Sequence, residues 1–285
     1  MEKKNFIIDL IKKKKELSGI DSVFIEEQLS DYISKNIALW HKIELHPKLE
    51  KSKELKFLVK EIRKKLREVY GVFNIDINKR NKLFEWLKLA VKNKKSKTEI
   101  LELHKKILLT HKSTRERLDY YNEIYKNIFK ITGKPSSILD IGSGLNPLSF
   151  IFMNLKNISY TAIEFTDEDC RFLNDYFNTM KKFHIEGMAL KMDLTKFNKF
   201  PKAGICFMFK LLDSLETLKF GITKSLLNEI NSDFIVASFP KKSLSGKPMS
   251  KFRISWFERL ISIYKNYEAF EPDNEIFSFL DNYIA

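Results

Sequence analysis

The sequence predicts an α/β protein in two parts: an all-helical N-terminal domain, then a domain on a seven-stranded, mostly parallel sheet with an antiparallel last strand. Three observations carry this. The first hundred residues hold one proline, Pro47, and long stretches of apolar residues at three- and four-residue spacing. From about residue 100, short apolar runs alternate with helical patterns, the grammar of a parallel sheet with helices on both faces. The last two runs, around "YEAFE" and "EIFSFL", leave no room for a helix between them and suit antiparallel pairing. The second part is therefore Rossmann-like.

In chain order, "FIIDLIKKKKEL" opens with an amphipathic helix. In "SKELKFLVKEIRKKLREVYGVF", Leu55, Leu58, Val59, Ile62 and Leu66 share one face. Lys53, Lys56, Lys60, Arg63, Lys64 and Arg67 occupy the polar face. "NKLFEWLKLAVKN" gives a further helix, and "KNKKSK" at 92–97 reads as a linker or turn. The boundary is placed at 1–105 for the basic helical domain and 106–285 for the sheet domain. "HKSTRERLDYYNEIYKNIF" has Ser113 followed three residues later by Glu116, capping-box spacing that predicts a helix start. The predicted strands are "SSILDIG", "SYTAIEF", "GMALKMDL", "GICFMFKLL", "FIVASFP" and the two closing runs.

At 285 residues, 44% hydrophobic and 31% charged, the chain is suited to a soluble globular fold. It has no apolar run of about 18 residues, so no membrane partner is expected. The N-terminus carries an acid and lysines around a short apolar patch, unlike a signal peptide. Cys170 and Cys206 stand apart from any Cys/His cluster, so neither a disulfide framework nor a metal site is expected, and a reducing cytoplasm fits. The net charge is +14, and it is localised: residues 1–50 hold nine basic and nine acidic groups, residues 51–100 sixteen against six. Such a field attracts polyanions, without separating RNA from DNA or acidic lipid.

The stretch "SSILDIGSGLNPLSF" supplies a site. Gly142 and Gly144 follow the first strand directly, where close backbone approach to a ligand needs glycine. Pro147 suits the first turn of a helix. A dinucleotide fingerprint would have a third glycine at Pro147, and Asp140 before the loop would repel a pyrophosphate. A cationic amino-acid cofactor would welcome it. Asp-x-Gly-x-Gly after strand one is the pattern of S-adenosylmethionine (SAM)-dependent methyltransferases of class I. Glu164 ends strand two, where a carboxylate can accept both ribose hydroxyls. Asp193 ends strand three, within reach of an adenine amino group.

The flanking segments "HKSTRER", "SSILDIGSGLNP", "FKLLDSLE", "SFPKKSLSGK" and "WFE" occur in an order that resembles one family. These are the aminoglycoside-resistance 16S ribosomal RNA methyltransferases, which modify a decoding-site guanine at N7. The resemblance covers about residues 101–280. It implies that Arg117 pairs with the SAM carboxylate, as a guanidinium fork can. It also implies that Gly142 and Gly144 cradle the methionine moiety with Asp140 near its ammonium group. Lys210 is implied to face the active site as the catalytic residue, and Lys210 and Leu211 to line the cofactor. Asp213 and Ser214 stand where the family often has proline. The N-terminal part is similar only in being helical and basic.

The loop after strand five carries Lys241, Lys242, Lys247, Lys251 and Arg253 with Ser243, Ser245 and Gly246 between them, a set suited to RNA phosphates. Lys60, Arg63, Lys64 and Arg67 are assigned to the same substrate. Of Phe252, Trp256 and Phe257, which could stack a base, at least two should be core. His111 is expected to make a local structural hydrogen bond, and Cys206 to be buried.

The expected function is SAM-dependent methylation of a guanine N7 of 16S ribosomal RNA on the small ribosomal subunit, by a cytoplasmic monomer, with aminoglycoside resistance as the associated property. The alternatives keep SAM but change the target to another rRNA or tRNA position, or retain the fold as a non-catalytic assembly factor. An NAD-dependent enzyme is the weakest rival. Guanine N7 has an in-plane lone pair, so no strong base is required, in accord with the lack of a nucleophile or dyad in the sequence.

Overall fold

The computed structural model describes residues 2–67, 76–196, 199–241, 259, 265–272 and 275–281. The chain forms two compact units, Met1–Val72 and Phe73–Ala285.

The first unit holds α1 (Glu2–Lys12), α2 (Ser22–Lys35), α3 (Ile37–Leu45) and α4 (Lys53–Leu66). Helix starts here have local causes. The Asp21 carboxylate accepts from the Val23 amide before α2, and the Ser52 hydroxyl accepts from the Leu55 amide at 3.1 Å before α4. The expected stripe of α4 is buried, and it shares a core with Ile7 and Ile11 of α1 and Ile25 and Leu29 of α2. Of the basic residues opposite, Lys60 and Lys64 are exposed. Arg63 and Arg67 are not simply solvated: Arg63 donates to the Leu10 carbonyl, and Arg67 Nη2 lies 2.7 Å from Glu16 Oε1.

The second unit begins with α5 (Ile77–Lys92), α6 (Lys97–Leu108), α7 (Lys112–Arg117) and α8 (Tyr121–Thr132). Then follow β1 (Ser137–Ile141), a 3-10 helix (Asn146–Phe152), β2 (Ile158–Glu164), α9 (Asp167–Met180), β3 (Ile185–Lys191) and β4 (Ala203–Phe209). After these come α10 (Leu212–Leu218), α11 (Ile222–Glu229), β5 (Ser232–Pro240), β6 (Lys265–Phe270) and β7 (Glu275–Asp281). The sheet order is β3-β2-β1-β4-β5-β7-β6, with β7 antiparallel to both neighbours and the first five strands parallel. The expected α/β architecture is thus present, and the last strand in sequence is the inverted one.

One local expectation is corrected. Helix α7 starts at Lys112, with His111 as its cap residue and no side-chain cap, so Ser113 lies inside the helix and is buried. Glu116 instead accepts from Lys210 Nζ at 2.6 Å, an ion pair that outweighs a neutral cap. A capping box does form at α6, where Ser96 and Glu99 exchange bonds from the end of "KNKKSK". That segment is a short turn between α5 and α6.

These two helices, read from sequence with the N-terminal domain, lie in the second compact unit. Leu83, Phe84 and Leu87 of α5 and Ile100 and Ile107 of α6 share one core with Tyr125 and Ile128 of α8 and Phe172 and Tyr176 of α9. Helical spacing reveals an apolar face without naming the core that it meets.

Candidate active site

The glycine loop leaves the carboxyl end of β1. Gly142 and Gly144 both have left-handed backbone, φ +64° and +53°, which a side chain would resist. Space is also short. A Cβ on Gly142 would stand 2.7 Å from Leu211 Cδ1, and one on Gly144 would stand 2.9 Å from the His111 ring. Burial lowers the His111 pKa to about 3, so the ring is a neutral wall beside the loop and not a base. Asn146 then heads the 3-10 helix, with Pro147 in its first turn, as the sequence implied.

The three acids are all anchored, although β3 stops at Lys191 and Asp193 stands two residues past it and not at its end as expected. Asp140 is buried, and its Oδ2 accepts from Asn146 Nδ2 at 2.9 Å and from the Tyr160 hydroxyl. Burial raises its pKa to about 6. Glu164 accepts from the Gly144 amide with Oε1 and from the Phe165 amide with Oε2 at 3.1 Å, tying β2 to the glycine loop. Burial, aided by the neighbouring Asp169 carboxylate, raises Glu164 to about 7. Asp193 Oδ1 accepts from the Thr195 amide at 2.9 Å and the Thr195 hydroxyl at 2.7 Å, closing the turn after β3.

Beside the loop lies a charge-balanced cluster. Arg117 of α7 donates from Nε to Glu275 Oε2 at 2.9 Å and from Nη2 to Oε1 at 2.8 Å. Its guanidinium carbon sits 4.9 Å from the centre of the Phe209 ring. Lys210 follows β4 with φ +55°, and its ammonium lies 2.6 Å from Glu116 and 3.3 Å from Glu275. The Ser238 hydroxyl donates to Glu275 as well. Burial pushes the Glu275 pKa up, but Arg117 and Lys210 outweigh it and hold the carboxyl below its usual range. The topology explains its position. Because β7 is antiparallel, its first residue pairs with Pro240, the last residue of β5, at the edge where the parallel strands end.

A family model described as Ribosomal RNA methyltransferase (FmrO) matches residues 54–261. The chain belongs to this family. A 16S rRNA (guanine(1405)-N(7))-methyltransferase of Proteus mirabilis is 32% identical over 200 residues, 67% of this chain and 71% of that one. A protein of the same description from Micromonospora rosea is 27% identical over 196 residues, 68% and 70% of the two chains. Among solved structures, the 16S rRNA methyltransferase RmtF in complex with S-adenosyl-L-homocysteine superposes with TM-score 0.77 at 21% identity, covering 99% of this chain and 98% of that one. The 16S rRNA methylase RmtB superposes with TM-score 0.68 at 19% identity, each chain covered to 98%. At these identities the two superpositions show a shared fold.

In this family member, Arg117, Asp140, Gly142, Gly144, Glu164, Lys210 and Leu211 come together at one sheet edge, and Asp193 stands in the turn that follows β3 on that edge. Lys241, at the end of β5, is 3.0 Å from Glu271. Lys242, Ser243, Ser245, Lys247 and Arg253 lie outside the described residues, as do Gly246, Lys251, Phe252, Trp256 and Phe257. Cys170 and Cys206 are both buried and unbridged. Among the described residues no group of three or more His, Cys, Asp or Glu could hold a metal, and no helix is long and apolar enough to cross a membrane.

Sequence reasoning missed Glu275 and Arg80. Glu275 carries no local motif. Arg80 is 2% exposed on α5, although it sits in a basic stretch. Its signal was spacing, since Arg80, Leu83, Phe84 and Leu87 fall on one helical face.

Proposed function

We infer that this chain transfers a methyl group from SAM to N7 of a guanine in 16S ribosomal RNA. The observation that carries the reading is the left-handed Gly142–Gly144 loop tied to Glu164 beside a buried guanidinium, in a chain of the FmrO family. The donor set fits the cofactor: carboxylates at the ends of β1 and β2 and just after β3, and a cation beside the loop. Bound there, SAM supplies an electrophilic methyl group.

The chain's own residues then bind and orient. Arg117 grips Glu275 with Nε and Nη2 beside the Tyr121 hydroxyl, and its guanidinium would take the cofactor carboxylate. Asp140 and the loop amides would face the methionine end, Glu164 the ribose hydroxyls and Asp193 the adenine amino group. Leu211 packs on Gly142 and fixes the loop. Lys210, clamped by Glu116 and Glu275, is the cation assigned to the reaction centre. Guanine N7 carries its lone pair in the ring plane, so no side chain has to remove a proton. The site contributes alignment and exclusion of water.

The target base would be turned out of its helix, because the deep groove of A-form RNA excludes side chains. Lys60, Arg63, Lys64 and Arg67 from the helical part, and Lys241, Lys242, Ser243, Ser245, Lys247 and Arg253 from the loop after β5, would bind phosphates. The enzyme would act as a cytoplasmic monomer on the small subunit and confer aminoglycoside resistance. Titration calorimetry tests the cofactor assignment. SAM should bind the wild-type chain and bind Glu164→Gln more weakly, whereas binding of NADH in place of SAM would overturn it.

A further inference from the structure

The residues from Glu164 to Asp169 crowd four carboxylates into six positions. Three open α9, where the helix dipole favours negative charge. Their cations are specific: Lys191 lies 2.6 Å from Asp167, Arg80 Nη2 3.3 Å from Glu168, and Arg80 Nη1 2.7 Å from Asp169. Glu164 has no ion pair within 4 Å among the described residues, and its hydrogen bonds go to amides and to the Ser143 hydroxyl.

Arg80 comes from α5, nearly ninety residues earlier in the chain, and is almost fully buried. Its guanidinium carbon stacks 4.4 Å from the Phe172 ring centre, so the cation is fixed in place. Asp169 is fixed as well, accepting from the Thr166 hydroxyl with Oδ2 at 2.8 Å. We propose that Arg80 is a positioning residue for the cofactor: by neutralising Asp169 it lets Glu164 carry the negative charge that receives the ribose hydroxyls. The proposal rests on the reading of Glu164 as the ribose acceptor.

The charges around Glu164 give the direction. Asp169 from α9 and Asp140 from β1 both disfavour its ionisation, and burial adds to them. Beside it, Gly144 packs on the neutral His111 ring, and the protonated Cys170 thiol lies on α9. Lys191 of β3, opposite Glu164 in the strand register, is bonded to Asp167. That leaves Arg80 to offset Asp169, the charge that most disfavours Glu164. Without it, the Asp169 charge that disfavours ionisation of the buried Glu164 would lose its guanidinium partner, and Glu164 would hold its proton more tightly.

The test is SAM titration calorimetry on the full chain from pH 5.5 to 9. Wild type should gain affinity as pH rises and level off above about pH 7, where Glu164 ionises. Arg80→Gln should move that midpoint up by about one pH unit, with weak binding at pH 7 restored at pH 9. Asp169→Asn should move it down, and the double variant should return it from the Arg80→Gln position. A merely structural Arg80 would weaken binding equally at every pH and would not be rescued by Asp169→Asn; that result overturns the proposal. If Arg80→Gln does not fold, Asp169→Asn alone decides, and an unmoved midpoint overturns it. A wild-type chain that binds no SAM at any pH would overturn the cofactor reading beneath it.

Discussion

Arg117 and Glu275, 158 residues apart in sequence, form a two-pronged ion pair inside the sheet domain, with distances of 2.9 and 2.8 Å. The pair joins the start of β7 to the last residue of α7, and Lys210 and Ser238 close around it. A cation desolvated to this degree holds its geometry only while its counter-charge is present.

Glu275→Ala should therefore cost about 3–5 kcal/mol of stability, because it strands two buried cations. Chemical denaturation measures this. Since the folded carboxyl sits below its ordinary range, its contribution is complete above the unfolded value and disappears as pH falls through the folded one. The gap between wild type and Glu275→Gln should accordingly shrink in acid.

The two loop glycines should differ. Each Ala substitution meets a left-handed backbone worth about 1–2 kcal/mol. At Gly142 the new methyl meets the flexible end of Leu211, but at Gly144 it meets a buried imidazole ring. Gly144→Ala should lose at least about tenfold in SAM affinity, and more than Gly142→Ala, by calorimetry.

Glu164 should oppose stability while serving function. Its raised pKa means that the fold holds the proton more tightly than the unfolded chain does. Its cost is absent below about pH 4.5 and complete above about pH 7. Without SAM, Glu164→Gln should melt higher than wild type at pH 8, with little difference at pH 5. Thermal melts at the two pH values check it.

On the helical unit, Lys60 and Lys64 are exposed, whereas Arg63 and Arg67 also brace their own unit. Lys60→Ala with Lys64→Ala should weaken binding to small subunits and leave SAM affinity intact. The slope of log affinity against log salt should fall by about 0.7–0.9 for each phosphate that the variant no longer neutralises.

The strands, the glycine loop and its three acids were legible because each is written locally: a short apolar run, a glycine pair, an acid at a strand end. Glu275 was not, because its partners are set by the inversion of β7 and no nearby residue signals them. Ser113 and Glu116 had capping-box spacing, yet Lys210, 94 residues on, claims the glutamate. Arg80 stands in a basic stretch with no motif around it, and only its register with Leu83 and Leu87 sets it inward. The target RNA came from segments around the loop, some of which lie beyond the described residues.

The most direct test incubates purified small ribosomal subunits with the enzyme and methyl-labelled SAM, then maps 7-methylguanine by aniline-induced strand cleavage. Label should enter 16S rRNA at one guanine of the decoding region, with a single cleavage there. Label confined to tRNA or free nucleotides, or no transfer from bound SAM, would contradict the account.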